Sequence, residues 1–228
     1  MGNKSNSSSK PLTEKEIIEQ QQKKYICKIY MYLNKMLCGI SNGFFCFIPY
    51  PDKEHLLPVL ITTYRTINEK SLNENKEIEL TLNNDSQKRK IKIKNDRKMY
   101  VSKENDTVII EIKPKTDNLH NFLDIDEDFF KDDLTLNNNQ EKIYLVCYGK
   151  ENKMDLYYGT IKEIDGKEIH HISETESGSG GCPILSVSSY KVIGMHLGRT
   201  PQEYKKGILI NTPIKEFMSG EKFFKLSE

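Results

Sequence analysis

From Tyr25 onward, apolar residues gather in short runs, broken by Asn, Asp, Gly and Pro clusters. The runs are "YICKIYM", "NGFFCFI", "LLPVLIT", "EIELTL", "KIKIK", "TVIIEI", "KIYLVCYG", "LYYGTIKEI", "CPILSV", "KVIGMHLG" and "GILINT". They are rich in β-branched and aromatic residues, and about eleven such strands with these turn signals predict one or two antiparallel barrels. Two segments read as helix instead. "TEKE" pairs Thr13 with Glu16 as a capping box and predicts a short polar helix through Lys23. "IKEFM" near the end predicts a terminal helix.

Two charged runs sit inside this pattern. "KRKIKIK" (residues 88 to 94) alternates Lys with Ile, and the preceding "EIELTL" has the complementary alternation. A hairpin would set Glu77 and Glu79 opposite those lysines, so a solvated hairpin is expected rather than an anion-binding patch. "DIDEDFF" (124 to 130) imitates the opening of a calcium loop, but Phe129 takes the glycine position and Thr135 the final glutamate position. The segment is expected to link two barrels.

Composition narrows the field. The 228 residues carry 34 Lys plus Arg and 33 Asp plus Glu, a balance that argues against bulk electrostatic binding of nucleic acid or membrane. No long apolar run predicts a membrane span, and the start lacks the apolar centre of a signal peptide. Cys27, Cys38, Cys46, Cys147 and Cys182 are odd in number and have no CxxC spacing. They read as buried free thiols in a reducing compartment, with neither a disulfide framework nor a metal site. A cytoplasmic location follows as the expectation, and no cofactor is indicated. "MGNKSNSSSKPL" is polar and expected to be disordered. Its Met-Gly start leaves two readings open, an ordinary tail or myristoylation of Gly2. The serine usual at position 6 stands one residue early, and Asn6 replaces it. An acyl chain there would make the protein a peripheral, reversibly bound membrane protein.

The candidate chemistry lies in "TESGSGGCPIL" (175 to 185), "VIGMHLG" (192 to 198), "LITTYRTINE" (60 to 69) and "DTVIIEI" (106 to 112). Together these segments resemble the trypsin-like (chymotrypsin-fold) serine protease family, particularly its intracellular and glutamyl-endopeptidase-like branches, over about residues 25 to 218. The resemblance implies an all-β fold of two six-stranded antiparallel barrels with a short C-terminal helix. Its implied limits are a tail and polar helix at 1–24, a first barrel at 25–120, a linker at 121–140, and a second barrel with the helix at 141–228.

Matched without a gap, Thr175 takes the family's leading threonine, Gly178 and Gly180 belong to the oxyanion loop, and Pro183 takes the proline. Gly180 then stands on the nucleophile, and Ser179 on the variable residue before it. A second register makes Ser179 the nucleophile and treats Cys182 as an inserted residue. The family's general base falls on Arg65, whose guanidinium stays protonated and has no lone pair to accept a proton. Asp106 keeps the third position, and the resemblance sets it against Arg65. His55, His120, His170 and His171 lie on other segments and read as surface or satisfied histidines.

Loss of both base and nucleophile leaves at most about 10³–10⁴-fold enhancement over water. The implied protein is therefore a pseudoprotease: a non-catalytic binding or scaffold protein holding a peptide or protein in the former substrate cleft. Thr175 and His196 match the family's specificity-pocket positions and would meet a Glu or Gln side chain, by charge or hydrogen bonding. Cys182 is expected to be a packed thiol. Two alternatives stand beside this reading: a weak serine endopeptidase using Ser179, and a membrane-tethered adaptor acting through an acylated Gly2.

Overall fold

In the computed structural model, residues 12–33, 35–130, 140–149, 153–199 and 204–227 are described. Gly2, the polar tail and Thr135 lie outside them. Helix α1 (Glu14–Lys24) begins at the expected capping box: Glu16 N–H donates to the Thr13 hydroxyl, and Thr13 N–H donates to the Glu16 carboxylate.

Seven strands follow: β1 (Ile26–Leu33), β2 (Met36–Pro49), β3 (Leu56–Thr62), β4 (Glu77–Leu82), β5 (Gln87–Lys92), β6 (Met99–Ser102) and β7 (Thr107–Glu111). They form one antiparallel sheet in the order β5-β4-β1-β2-β3-β7-β6. Helix α2 (Glu69–Asn75) separates β3 from β4, and α3 (Pro114–Asp117) follows β7. The sequence led us to expect a closed six-stranded barrel here. The sheet instead has seven strands and stays open: β5 ends it on one side, and on the other β6 is met by the C-terminal segment, where Phe224 N–H donates to Met99 O at 2.7 Å. One edge is the lysine-rich arm of the charged hairpin, where Glu79 faces Lys90 at 2.5 Å and Glu77 lies 3.6 Å from the same ammonium. Such an edge keeps its polar groups in water instead of closing on the other end.

The second unit is the closed six-stranded barrel, in the order β10-β13-β12-β11-β8-β9. Its strands are β8 (Lys142–Tyr148), β9 (Met154–Asp165), β10 (Glu168–Ser173), β11 (Pro183–Ser186), β12 (Val192–Arg199) and β13 (Lys205–Leu209). The short C-terminal helix is α4 (Asn211–Ser219), ended by Gly220 in the left-handed region.

The alternation along the strands sorts side chains into three cores. Ile143, Leu145 and Cys147 of β8 fill the barrel with Ile161, Ile169 and Ile184. Phe45 of β2 turns into the first sheet with Leu60, Val108 and Ile110. The intervening residues (Phe44, Cys46 and Ile48 on β2, Tyr144 and Val146 on β8) join a cluster drawn from both units. Burial of this kind contributes about 1.5–3 kcal/mol per large apolar side chain, so the shared cluster holds the halves against each other.

The segment read as a linker reinforces that joint. Phe47 N–H donates to Leu123 O and Leu123 N–H to Phe45 O, each at 2.9 Å. Three residues on, Asp126 N–H donates to Val192 O, and Val192 N–H to Asp124 O, again at 2.9 Å. The chain therefore bridges β2 of the first sheet and β12 of the barrel. Phe129, the residue that spoils the calcium pattern, is buried in the barrel core.

Candidate active-site cleft

A cleft of about 560 Å³ runs along the seam between the two units. Arg65 and Thr66, from the turn after β3, form one wall. The glycine-rich loop 175–180 and β12 form the other, with Met31 and Ile40 of the β1–β2 hairpin at the rim. Seams between units are common places for ligand sites.

Arg65 is fixed at three points. Its Nε donates to Asp106 Oδ2 at 2.8 Å, its backbone N–H reaches Asp106 Oδ1 at 3.2 Å, and its Nη2 donates to Leu197 O. The guanidinium thus ties the first sheet to β12. Asp106 holds a left-handed backbone (φ 44°) at the turn before β7. Beside it, Asn105 accepts from Lys167 Nζ and donates to Glu216 and Tyr100, so the turn is anchored to the barrel as well.

The loop opposite is held by Asn42, a fully buried residue of β2. Its Nδ2 donates to Tyr148 O at 3.1 Å and Gly178 O at 3.0 Å, and lies 3.3 Å from Gly180 O; its Oδ1 accepts from Tyr148 N–H at 2.6 Å. Ser41 adds a bond to Gly180 O at 3.2 Å. Gly181 has φ 87°, and a Cβ there would stand 2.2 Å from Asn42 O, so only glycine fits this crossing. Gly180 differs. A Cβ there would meet Leu197 O at 3.7 Å and nothing else nearby, so the position has room for a side chain beside the Arg65 head group. Ser179 points away from such chemistry: its buried hydroxyl donates to Glu176 O at 2.7 Å.

Of the two residues expected in the specificity pocket, His196 heads a chain of buried polar groups. His196 and Thr175 both line the cleft. Behind them, His171 Nε2 lies 3.1 Å from His196 Nδ1, and Ser173 Oγ lies 3.2 Å from His171 Nδ1. Burial, helped by the nearby Lys205 charge, pushes His171 down to about 4. Burial and the neighbouring His171 push His196 well below its usual value. Both rings are therefore neutral near pH 7, each able to donate at one nitrogen and accept at the other. Thr175 Oγ1 is buried without a hydrogen-bond partner, a donor and acceptor left for something else. Lys205 Nζ donates to Thr175 O and brings a fixed positive charge to this corner.

The reading of the cysteines needs correction. Cys147 and Cys182 are joined as a disulfide, with Cα atoms 5.4 Å apart, so Cys182 is no free thiol. Continuing the β8–β11 register two residues past Ile184↔Leu145 puts Cys182 opposite Cys147. The separation of 35 residues hides that adjacency. Cys27, Cys38 and Cys46 remain free, and Cys38 is exposed. His171, grouped with surface or satisfied histidines, is satisfied but wholly buried, and it backs His196. His55 bonds Asp52 at 2.7 Å on an exposed turn, and His170 faces Glu163 and Glu168. Asn42 and Ser41, which set the loop, carried no sequence signal beyond "SNG". Among the described residues, no helix is long and apolar enough to cross a membrane.

Two antiparallel β units meeting at a cleft, with a glycine-rich loop facing an aspartate-bound residue, define the chymotrypsin-like serine protease architecture. Residues 59–219 match the family model of Peptidase S39, and the chain belongs to that family. Among solved structures it is similar to the serine endoprotease from Yersinia pestis, with TM-score 0.64 and 9% identity over 94% of this chain and 70% of that one. It is also similar to the Rv3671c protease in its inactive form, with TM-score 0.59 and 10% identity over 90% of this chain and 91% of that one. At such identities the likeness concerns the fold. No curated protein matches the sequence.

Proposed function

We propose that this chain is a catalytically inactive member of the family that binds a peptide or protein in its cleft. Arg65 carries the reading. Its guanidinium occupies the place where a serine protease needs a proton acceptor, and it is bound to Asp106 and Leu197 O. A permanently protonated group cannot take a proton from a hydroxyl. Gly180, facing the same Leu197 carbonyl, has no hydroxyl to offer. The alternative nucleophile, Ser179, donates its hydroxyl to Glu176 O, and among the described residues no imidazole bonds to it.

The ligand side chain that suits the cleft is Glu or Gln. Thr175 Oγ1 lacks a partner, and neutral His196 presents a donor or an acceptor as required. The test is intact-mass measurement after treatment with a fluorophosphonate, on the native chain and on an Arg65→His, Gly180→Ser double variant. The native chain is expected to stay unlabelled and the double variant to take one adduct at residue 180. An adduct on Ser179 of the native chain would restore a hydrolase and end this reading.

A further inference from the structure

The polar groups around Gly180 favour one kind of peptide over others. The N–H groups of Gly178 and Gly180 have no hydrogen-bond partner among the described residues, and both residues line the cleft. Arg65 spends Nε on Asp106 and Nη2 on Leu197 O, which leaves Nη1 without a partner among the described residues; the side chain is 62% exposed. The open position above Gly180 adjoins the Leu197 carbonyl that the guanidinium also touches. Unpaired donors on one side and a cation on the other thus surround a space the size of a small group.

We propose that the cleft recognises the free C-terminal α-carboxylate of a peptide chain, with that last residue's Glu or Gln side chain between Thr175 and His196. This rests on the cleft-binding reading above. One carboxylate oxygen accepts from the Gly178 and Gly180 N–H groups. The other faces Arg65 in the space that a serine side chain would fill. An internal peptide bond suits the same place poorly, because its N–H would face a guanidinium that has donors only. A carboxylate instead gains charge-assisted hydrogen bonds. The other charges lining the cleft are Lys205, which adds to the positive field, and Glu176, exposed at the rim. Asp106 already engages part of Arg65, which fixes the guanidinium in place for a second carboxylate.

The experiment uses fluorescence anisotropy with three fluorescein-labelled hexapeptide pools, randomised at the first five positions. One ends in Glu with a free carboxylate, one ends in Glu amide, and one extends the first by an alanine. The acid pool is expected to bind at least about tenfold more tightly than either of the others. Gly180→Ser, which fills the space, and Arg65→Gln, which removes the charge, should each abolish the preference for the acid pool over the amide pool. Thermal melts establish that both variants are folded. Equal binding of all three pools would overturn this proposal and leave the cleft reading standing. An acid preference that survives both variants would also overturn it, since the carboxylate would sit elsewhere. No binding of any pool would overturn both readings.

Discussion

His171 Nε2 and His196 Nδ1 lie 3.1 Å apart, and both residues are buried. The contact requires one ring to donate and the other to accept, which two imidazolium ions cannot do. With His171 held near 4 against an ordinary 6.5, the unfolded chain binds more protons than the folded one throughout that window. Stability is therefore complete above about pH 6.5 and falls as pH drops toward 4. The loss from His171 alone should be on the order of 3 kcal/mol, and His196 shifts in the same direction. Urea unfolding midpoints between pH 7 and 4 check this. His171→Gln should flatten the curve, and an equally steep curve in that variant would place the acid sensitivity elsewhere.

Neighbouring glycines in the same loop should respond oppositely to substitution. Gly181→Ala forces a Cβ to 2.2 Å from Asn42 O at a positive φ, and should cost more than about 2 kcal/mol. Gly180→Ala places its Cβ in ordinary contact with Leu197 O and should change stability by less than about 1 kcal/mol. Paired thermal melts separate the two, and similar losses for both would contradict the loop geometry.

A large loss is predicted for breaking the ion pair of Arg97 and Asp117 in the first sheet. Both are buried, and Arg97 Nη1 and Nη2 each meet an Asp117 oxygen at 2.7 Å. Arg97 also donates to Lys92 O and Glu111 O, so it joins β5 to β7 and α3. Asp117→Ala would leave a guanidinium buried without its counter-ion, at a cost of about 3–5 kcal/mol. Chemical denaturation of the variant measures it.

Arg65→Leu should be nearly silent by the same assay. The Arg65–Asp106 pair is exposed on the arginine side, and such pairs contribute about 0–1 kcal/mol. A large loss would make Arg65 a structural strut and weaken its assignment to the cleft.

Much of this architecture is legible along the chain, where apolar runs follow burial. In "TVIIEI" and "KIYLVCYG" the apolar residues are buried on both faces, and both segments are strands. β10, "EIHHIS", carries no clear strand signal because polarity and burial part company there. Ile172 is exposed, while His171 and Ser173 are buried. β6 is only four residues long, too short for a period to register. At the cleft, a family pattern placed Arg65, Asp106, Thr175, Gly180 and His196 in the sequence. Their third partners are backbone atoms or distant side chains. Leu197 O, Asn42 and the Cys147–Cys182 bond depend on strand register, which no local run of residues encodes.

Asn42 belongs to the first sheet, yet it holds Gly178 and Tyr148 of the second. The cleft is consequently a property of the seam and belongs to neither half. Any ligand seated there acts as a tie between the two units, and its binding energy adds directly to their cohesion. Occupancy would then appear far from the cleft, as slower amide exchange along the Leu123–Asp126 stitch.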